Sequence, residues 1–244
     1  MSKIKLGVNI DHIAFIKKSR DTKYPDLREA VSICESSGAD SITIHLREDR
    51  RHIQDQDAIL IRKNAKKLNF EMANTSEMVD FATNLGPDFC CIVPEKRDER
   101  TTEGGLTLCT MSDSQKNNLA NNIKKLNDKN IEVSLFIDPD KDEIEIAKNV
   151  GAQSIELHTG AYANSKDNQV MIEIEKLKTA SNYAHNLSLK VNAGHGLHYN
   201  NISEICKIQY ISELNIGHSI IAESIFLGLG DAIKKMKRII NSCD

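Results

Sequence analysis

Short runs of apolar, often β-branched residues alternate along this chain with longer segments whose apolar positions recur every three to four residues. The short runs read as strands and the longer segments as helices that turn one face inward. Strands are predicted over residues 4–10, 41–46, 69–73, 89–94, 131–138, 154–158, 189–193 and 212–216. The fourth is almost wholly apolar, as a strand covered on both sides should be.

The first strand is expected to lead through a loop to a helix opened by Pro25-Asp26, with Leu27, Ala30, Val31 and Cys34 on one face and Gly38 as its stop. Ile59 and Ile61 mark the next helix, and Leu119, Ile123 and Leu126 another, after a polar loop over residues 95–108. A charged helix runs to Gly151. Val170, Ile174, Leu177, Ala184 and Leu187 line a long one, and Ile233, Met236 and Ile240 the last. Eight strands, each followed by a helical stretch, predict an α/β protein, a closed (β/α)8 TIM barrel with room for extra short helices, rather than an open doubly wound sheet.

Internal echoes support the repeat. Gly38-Ala39-Asp40-Ser41-Ile42-Thr43-Ile44-His45 aligns with Gly151-Ala152-Gln153-Ser154-Ile155-Glu156-Leu157-His158. Asn9-Ile10-Asp11-His12, Asn192-Ala193-Gly194-His195 and Asn215-Ile216-Gly217-His218 repeat one word after strands one, seven and eight.

The length of 244 residues matches one such barrel, for which about 250 is typical, so a single domain over 1–244 is expected. Thirty-two Lys and Arg against 35 Asp and Glu give a net charge of −3, and Trp is absent, so neither a polyanion-binding surface nor a base-stacking platform is indicated. No nucleic-acid partner is expected. No run of about 18 apolar residues exists to span a membrane, and the N-terminus has no signal-peptide core. Six cysteines without a C-x-x-C pair read as free buried thiols, and hence a cytoplasmic setting.

Barrels of this kind place their chemistry at the C-terminal ends of the strands. Five of eight histidines fall there: His12, His45, His158, His195 and His218. His52 follows in the loop after strand two, while His185 sits on a helix and His198 enters one. Strand alternation turns Glu71 away from Phe70 and Met72, towards the barrel interior, and puts Glu156 on the same face as His158. Burial there should raise a carboxyl pKa. Asp138 is read either as part of the rim or as a cap on the next helix.

The glycine-containing loops after strands seven and eight suit a phosphate beside a helix N-terminus. Arg20, Arg47, Arg50, Arg51 and His52 form a second basic group in the early loops. Two anion sites suit two phosphorylated reactants or one bisphosphate. No P-loop, dinucleotide fingerprint or helical zinc motif is present. Lys190 begins a strand, the wrong end for a Schiff base, whereas Lys96 is better placed.

The words Gly-Val-Asn-Ile-Asp-His-Ile-Ala, His-Leu-Arg-Glu-Asp-Arg-Arg-His-Ile, Glu-Met-Ala, Val-Pro-Glu-Lys-Arg, Thr-Thr-Glu-Gly-Gly, Val-Asn-Ala-Gly-His-Gly-Leu and Leu-Asn-Ile-Gly-His occur in order over nearly the whole chain. In them the sequence resembles the pyridoxine 5′-phosphate synthase family, ring-closing enzymes of vitamin B6 synthesis. The resemblance implies condensation of 3-amino-2-oxopropyl phosphate with 1-deoxy-D-xylulose 5-phosphate, with no metal and no organic cofactor. It implies that His45 and Glu71 accept protons, His195 donates one, and Glu156 steadies transition-state charge. It further implies that Asn9 contacts the amino ketone, that Asp11, His12, Arg20, Arg47, His52 and Thr101 contact the sugar phosphate, and that Gly196, Gly217 and His218 complete a phosphate site. A homo-octamer is implied as well.

The chain departs from the family pattern at Asp21, where Gly is usual, and at Ala222-Glu223-Ser224, where Gly- or Ser-Arg-Ala is common. Glu223 would weaken anion binding unless it points to solvent. Residues 95–108, with Gly104-Gly105 as hinge, are the expected lid, since reactive imines need shielding from water. The competing reading is a phosphosugar isomerase or aldolase on the same barrel. A further one is a ligand-binding or assembly subunit without activity.

Overall fold

The computed structural model of the chain describes residues 3–95 and 104–243. Eight parallel strands close into one barrel in chain order. The elements run β1 (Lys5–Asn9), α1 (Asp11–Ser19), α2 (Leu27–Ser36), β2 (Ser41–His45), α3 (Asp55–Asn64), β3 (Leu68–Met72), α4 (Ser76–Leu85) and β4 (Phe89–Ile92). A 3₁₀ turn at Leu108–Thr110 then precedes α5 (Asp113–Asn127), β5 (Glu132–Ile137), α6 (Lys141–Asn149), β6 (Ser154–His158), α7 (Gly160–Asn164) and α8 (Asn168–Asn186). The chain closes with β7 (Lys190–Gly194), α9 (Ile202–Cys206), β8 (Ile211–Ile216), α10 (His218–Leu227) and α11 (Leu229–Asn241).

Local chemistry sets the helix starts. Asp26, Thr75, Ser112 and Asp140 each accept a backbone N–H of the first turn of α2, α4, α5 and α6. Asp140 is thus the cap of α6, and Asp138 is released for another role. The predicted strands stand within a residue or two of the observed ones. The main difference lies just after β1, where α1 occupies residues expected to be loop. Its apolar positions are too few for a clear period, and Ile13 and Ala14 alone are buried apolar residues on it.

The register decides what the barrel holds. Cross-strand partners share a face, and His45 pairs with Glu71, Glu71 with Cys91, Phe136 with Glu156, and Glu156 with Asn192. The outward face carries Leu6, Val8, Ile42, Ile44, Phe70, Met72, Leu135 and Ile155, all fully buried under the helices in one continuous core. The interior face is mostly polar, and its apolar part is a separate cluster of Cys91, Val93 and Phe136. Barrels more often fill this space with branched aliphatic side chains.

Buried polar groups generally need hydrogen-bond partners, and a chain of them supplies several here. Ser41 Oγ donates to Glu213 Oε1 at 2.6 Å, Thr43 Oγ1 to Asn215 Oδ1 at 3.0 Å, and Asn215 Nδ2 to Glu156 Oε2 at 2.6 Å. The chain has thus given up part of its interior packing to seat a polar network below the strand ends.

Cys34, Cys90, Cys91 and Cys206 are buried and form no disulfide. Cys109 corrects the expectation of uniform burial, since it is exposed on the 3₁₀ turn. Ile59 is likewise 43% exposed, and Ile61 carries the buried face of α3. No helix among the described residues is long and apolar enough to cross a membrane.

Candidate active site

The polar network rises into a ring of ionisable groups at the C-terminal rim. Glu71 projects from β3 beside His45, and Asp11 stands at the start of α1. Donor atoms of these three lie within 4.8 Å of one another. Asp11 ties two strand ends together, because its carboxylate accepts the His45 N–H at 3.0 Å and Asn9 Nδ2 at 3.1 Å. Burial raises its pKa against the opposing pull of His45 and Asn9.

Asp11, His45 and Glu71 are also the donor set among the described residues that can hold a metal ion. Asp11 has already committed oxygen to backbone and amide donors, which weakens it as a ligand.

Two carboxyls sit deep in the barrel with perturbed acidity. Glu71 is pushed well above the usual carboxylate range by burial, then by the charges of Glu156 and Asp11. Glu156 is 3% exposed and rises to about 7 through burial, with Glu213 adding to the shift and the Asn215 hydrogen bond opposing it. A carboxyl at about 7 holds and releases protons near neutral pH, as general acid–base work requires.

The six histidines of the rim and its loops form two pairs and two singles. His12 and His218 lie with ring centroids 5.0 Å apart, at the β1–β8 side of the rim. His12 falls to about 4 because burial disfavours its charge and His218 and His52 repel it. His52 is lowered too, chiefly by burial, and its ring meets Phe15 edge-on at 5.2 Å. Neutral imidazoles here can donate hydrogen bonds to a phosphate without a standing charge.

His158 and His195 form the second pair, 5.1 Å apart on the opposite side. Burial and the charge of His158 lower His195. His195 and His158 line an open cavity of about 790 Å³ together with Asp138, Gly104 and Lys176.

His45 is held by a partner that sequence reasoning treated only as part of a loop. Its Nε2 lies 2.8 Å from Glu95 Oε1, and the other carboxylate oxygen accepts the Glu48 N–H at 3.0 Å. Burial pushes the Glu95 carboxyl up, but His45 and the Glu48 amide outweigh it and leave the pKa lowered. Its position directly after β4 was the available signal. Asp138 likewise pairs with His158, Oδ1 to Nδ1 at 2.8 Å, and its pKa is lowered by that hydrogen bond.

The early arginines divide. Arg47 is buried at the rim, 6% exposed, with Asp49 3.8 Å away. Arg50 spans Asp55 and Glu77 and holds loop carbonyls, so it is a structural brace. Arg51 pairs with Asp49. Arg20 stands exposed at the end of α1 and is not brought to the other candidates by any contact among the described residues. Asp21 follows it with φ of 49°, the left-handed conformation that favours the family's glycine.

Gly217 lies against Asn9, where a Cβ would come within 2.9 Å of the Asn9 Cβ, so the two predicted contact residues are neighbours. His218 opens α10, whose N-terminus faces this corner. Glu223 on the same helix meets Lys235 at 2.5 Å, which turns its charge to α11.

Thr101 and Lys96 lie outside the described residues, as do positions 96–103 of the expected lid. Gly105 is packed rather than hinge-like. A Cβ there would fall 2.4 Å from the Asp138 backbone nitrogen, and Leu106 is bridged to Ile137 of β5.

A closed barrel whose rim holds perturbed carboxyls, paired imidazoles and a buried arginine defines an acid–base enzyme of the (β/α)8 class. The model of the family described as pyridoxal phosphate biosynthesis protein PdxJ matches residues 6–242, and the chain belongs to that family. Pyridoxine 5′-phosphate synthase of Idiomarina loihiensis is 47% identical over 243 residues, covering 99% of each chain. That of Blochmanniella pennsylvanica is 51% identical over 242 residues, 98% of each. Phosphoribosyl anthranilate isomerase from Thermus thermophilus is similar in structure, with TM-score 0.62, 10% identity, and coverage of 99% of this chain and 100% of that one. At that identity the likeness is one of fold alone.

Proposed function

We propose that this chain condenses 3-amino-2-oxopropyl phosphate with 1-deoxy-D-xylulose 5-phosphate to form pyridoxine 5′-phosphate, inorganic phosphate and water. The observation that carries the reading is the pair of carboxyls inside the barrel, Glu71 and Glu156, both held above the usual carboxylate range, Glu156 at about 7, beneath a rim of histidines. Ring closure needs imine formation, dehydration, phosphate loss and repeated proton transfers, the steps that carboxyls and imidazoles so placed serve as general acids and bases.

In this reading His45 and Glu71 take protons from the bound ketones. The register sets their side chains next to each other, so both serve one reacting centre. His195 returns a proton from the opposite side of the mouth. Glu156 lies below them and answers positive charge developing on the imine nitrogen. Asn9 contacts the amino ketone, and Gly196, Gly217 and His218 complete a phosphate site beside the N-terminus of α10. Asp11, His12, Arg47 and His52 take the sugar phosphate, with Arg20 and Thr101 assigned by family motif. Fixing both reactants by their phosphates replaces a bimolecular encounter and lowers the barrier by several kcal/mol, up to about 7–11 in the best cases.

The assembly is read as a homo-octamer in the cytoplasm. Phe226 is 86% and Ile225 71% exposed on α10, and Phe15 and Ile16 on the adjacent α1 are each 50% exposed, an apolar patch suited to a subunit contact. Light scattering of the purified protein measures the mass directly.

The test supplies both phosphorylated substrates to chelator-treated protein and follows pyridoxine 5′-phosphate by absorbance. Product formation is expected without added metal. A folded protein that binds both substrates and makes no product overturns the reading.

A further inference from the structure

The end of β6 carries two residues that the proposed chemistry does not use, and both lean on His195. His158 is 6% exposed. Its Nδ1 is fixed by Asp138 at 2.8 Å, and its ring lies between Phe136, 5.2 Å away, and His195, 5.1 Å away. Its Nε2 is buried with no hydrogen-bond partner among the described residues. That ring is therefore hydrogen-bonded at one edge only, with Phe136 and His195 packed beside it.

The next residue, Thr159, is fully buried. Its N–H donates to the Gly194 carbonyl at 2.9 Å. Its hydroxyl lies 2.7 Å from the Gly194 oxygen and 2.5 Å from the His195 oxygen, so one proton is shared between two successive carbonyls. His195 has φ of 80° and Gly196 of 75°, two left-handed residues in a row. For a residue with a Cβ this conformation costs on the order of 1–3 kcal/mol and persists only where surroundings hold it. The Thr159 hydroxyl is the side-chain group that grips both carbonyls of that turn.

We propose that Thr159 and His158 together are the positioning element for His195. Thr159 holds its backbone in the left-handed turn, and the Asp138-anchored ring of His158 sets the face against which the His195 imidazole rests. Neither touches the reacting atoms in this assignment. It rests on His195 being the proton donor of the synthase reaction, and the experiment separates the two claims.

Thr159→Val keeps the shape and removes the hydroxyl, while Thr159→Ser keeps the hydroxyl and removes a methyl. Steady-state kinetics of wild type and both variants are measured with both substrates, alongside thermal melts, and the Thr159→Val crystal structure gives φ at residue 195. Wild-type activity that disappears in His195→Gln secures the underlying assignment. With that in hand, Thr159→Val is expected to lose about 10–100-fold in kcat with KM within about twofold, consistent with the sensitivity of proton transfer to small misplacement. Thr159→Ser is expected to recover most of the loss, and φ at residue 195 to leave the left-handed region in the valine variant. Wild-type kcat in Thr159→Val, or equal losses in Val and Ser, overturns the proposal. A fully active His195→Gln overturns the assignment of His195 instead.

Discussion

Replacing Glu156 with glutamine should make the protein more stable above neutral pH while disabling it. The carboxyl sits at about 7 in the folded chain against an ordinary 4.5, because burial disfavours its ionised form. The unfolded chain therefore releases this proton first as pH rises. Between 4.5 and 7 the folded state binds more protons than the unfolded one, so stability falls with rising pH. At about 1.4 kcal/mol for each pKa unit, the loss approaches about 3 kcal/mol once pH exceeds the folded value. It is absent below the unfolded value.

Glu156→Gln removes that penalty. The new amide oxygen can still accept the Asn215 Nδ2–H that now reaches Glu156 Oε2 at 2.6 Å. The new amide nitrogen faces the neighbouring strand, where Asn192 pairs in register with position 156 and its Oδ1 has no donor among the described residues. Urea titrations at fixed protein concentration, from pH 4.5 to 9, should show the two proteins equal at the acid end and the variant ahead by about 3 kcal/mol at the alkaline end. Turnover should fall by about 10²–10³, the scale of losing one preorganised electrostatic contact to the transition state. A stability difference that does not change with pH, or a variant less stable at pH 9, would refute the assignment of a buried, raised carboxyl.

Two further outcomes are expected. Glu71→Gln should lower kcat by about 10²–10⁴ while leaving deoxyxylulose phosphate binding intact by calorimetry, since a lost general base costs that much; unchanged turnover removes Glu71 from the mechanism. Phe70→Ala should destabilise the fold by about 3–5 kcal/mol, because Phe70 is fully buried and stacks on Phe81 at 5.8 Å outside the barrel, away from the site. Its melting temperature should drop on the order of 10 °C with KM preserved in the folded fraction.

The barrel and much of its rim were legible in the chain because each rests on local periodicity. Two-residue alternation turned Glu71 inward from Phe70 and Met72, and the same alternation put Glu156 under His158. Eight repeats of strand and helix consumed the length. The helix at residues 11–19 escaped because few buried apolar positions mark it, and Asp138 could not be told from a helix cap until Asp140 was seen to do that work.

What the sequence determined by itself was therefore the set of side chains offered to the rim, since strand direction and period are properties of neighbouring residues. Tertiary structure decided their partners. His45, at the end of β2, meets Glu95, past the end of β4, across 50 residues, and His158 meets Asp138 across 20, pairings that exist only once the strand ends are brought level by the parallel register. His12 reaches His218 only because β1 pairs with β8 and closes the barrel. The raised pKa values of Glu71 and Glu156 have the same origin, for a carboxyl is desolvated by the barrel that surrounds it and not by its neighbours in the chain.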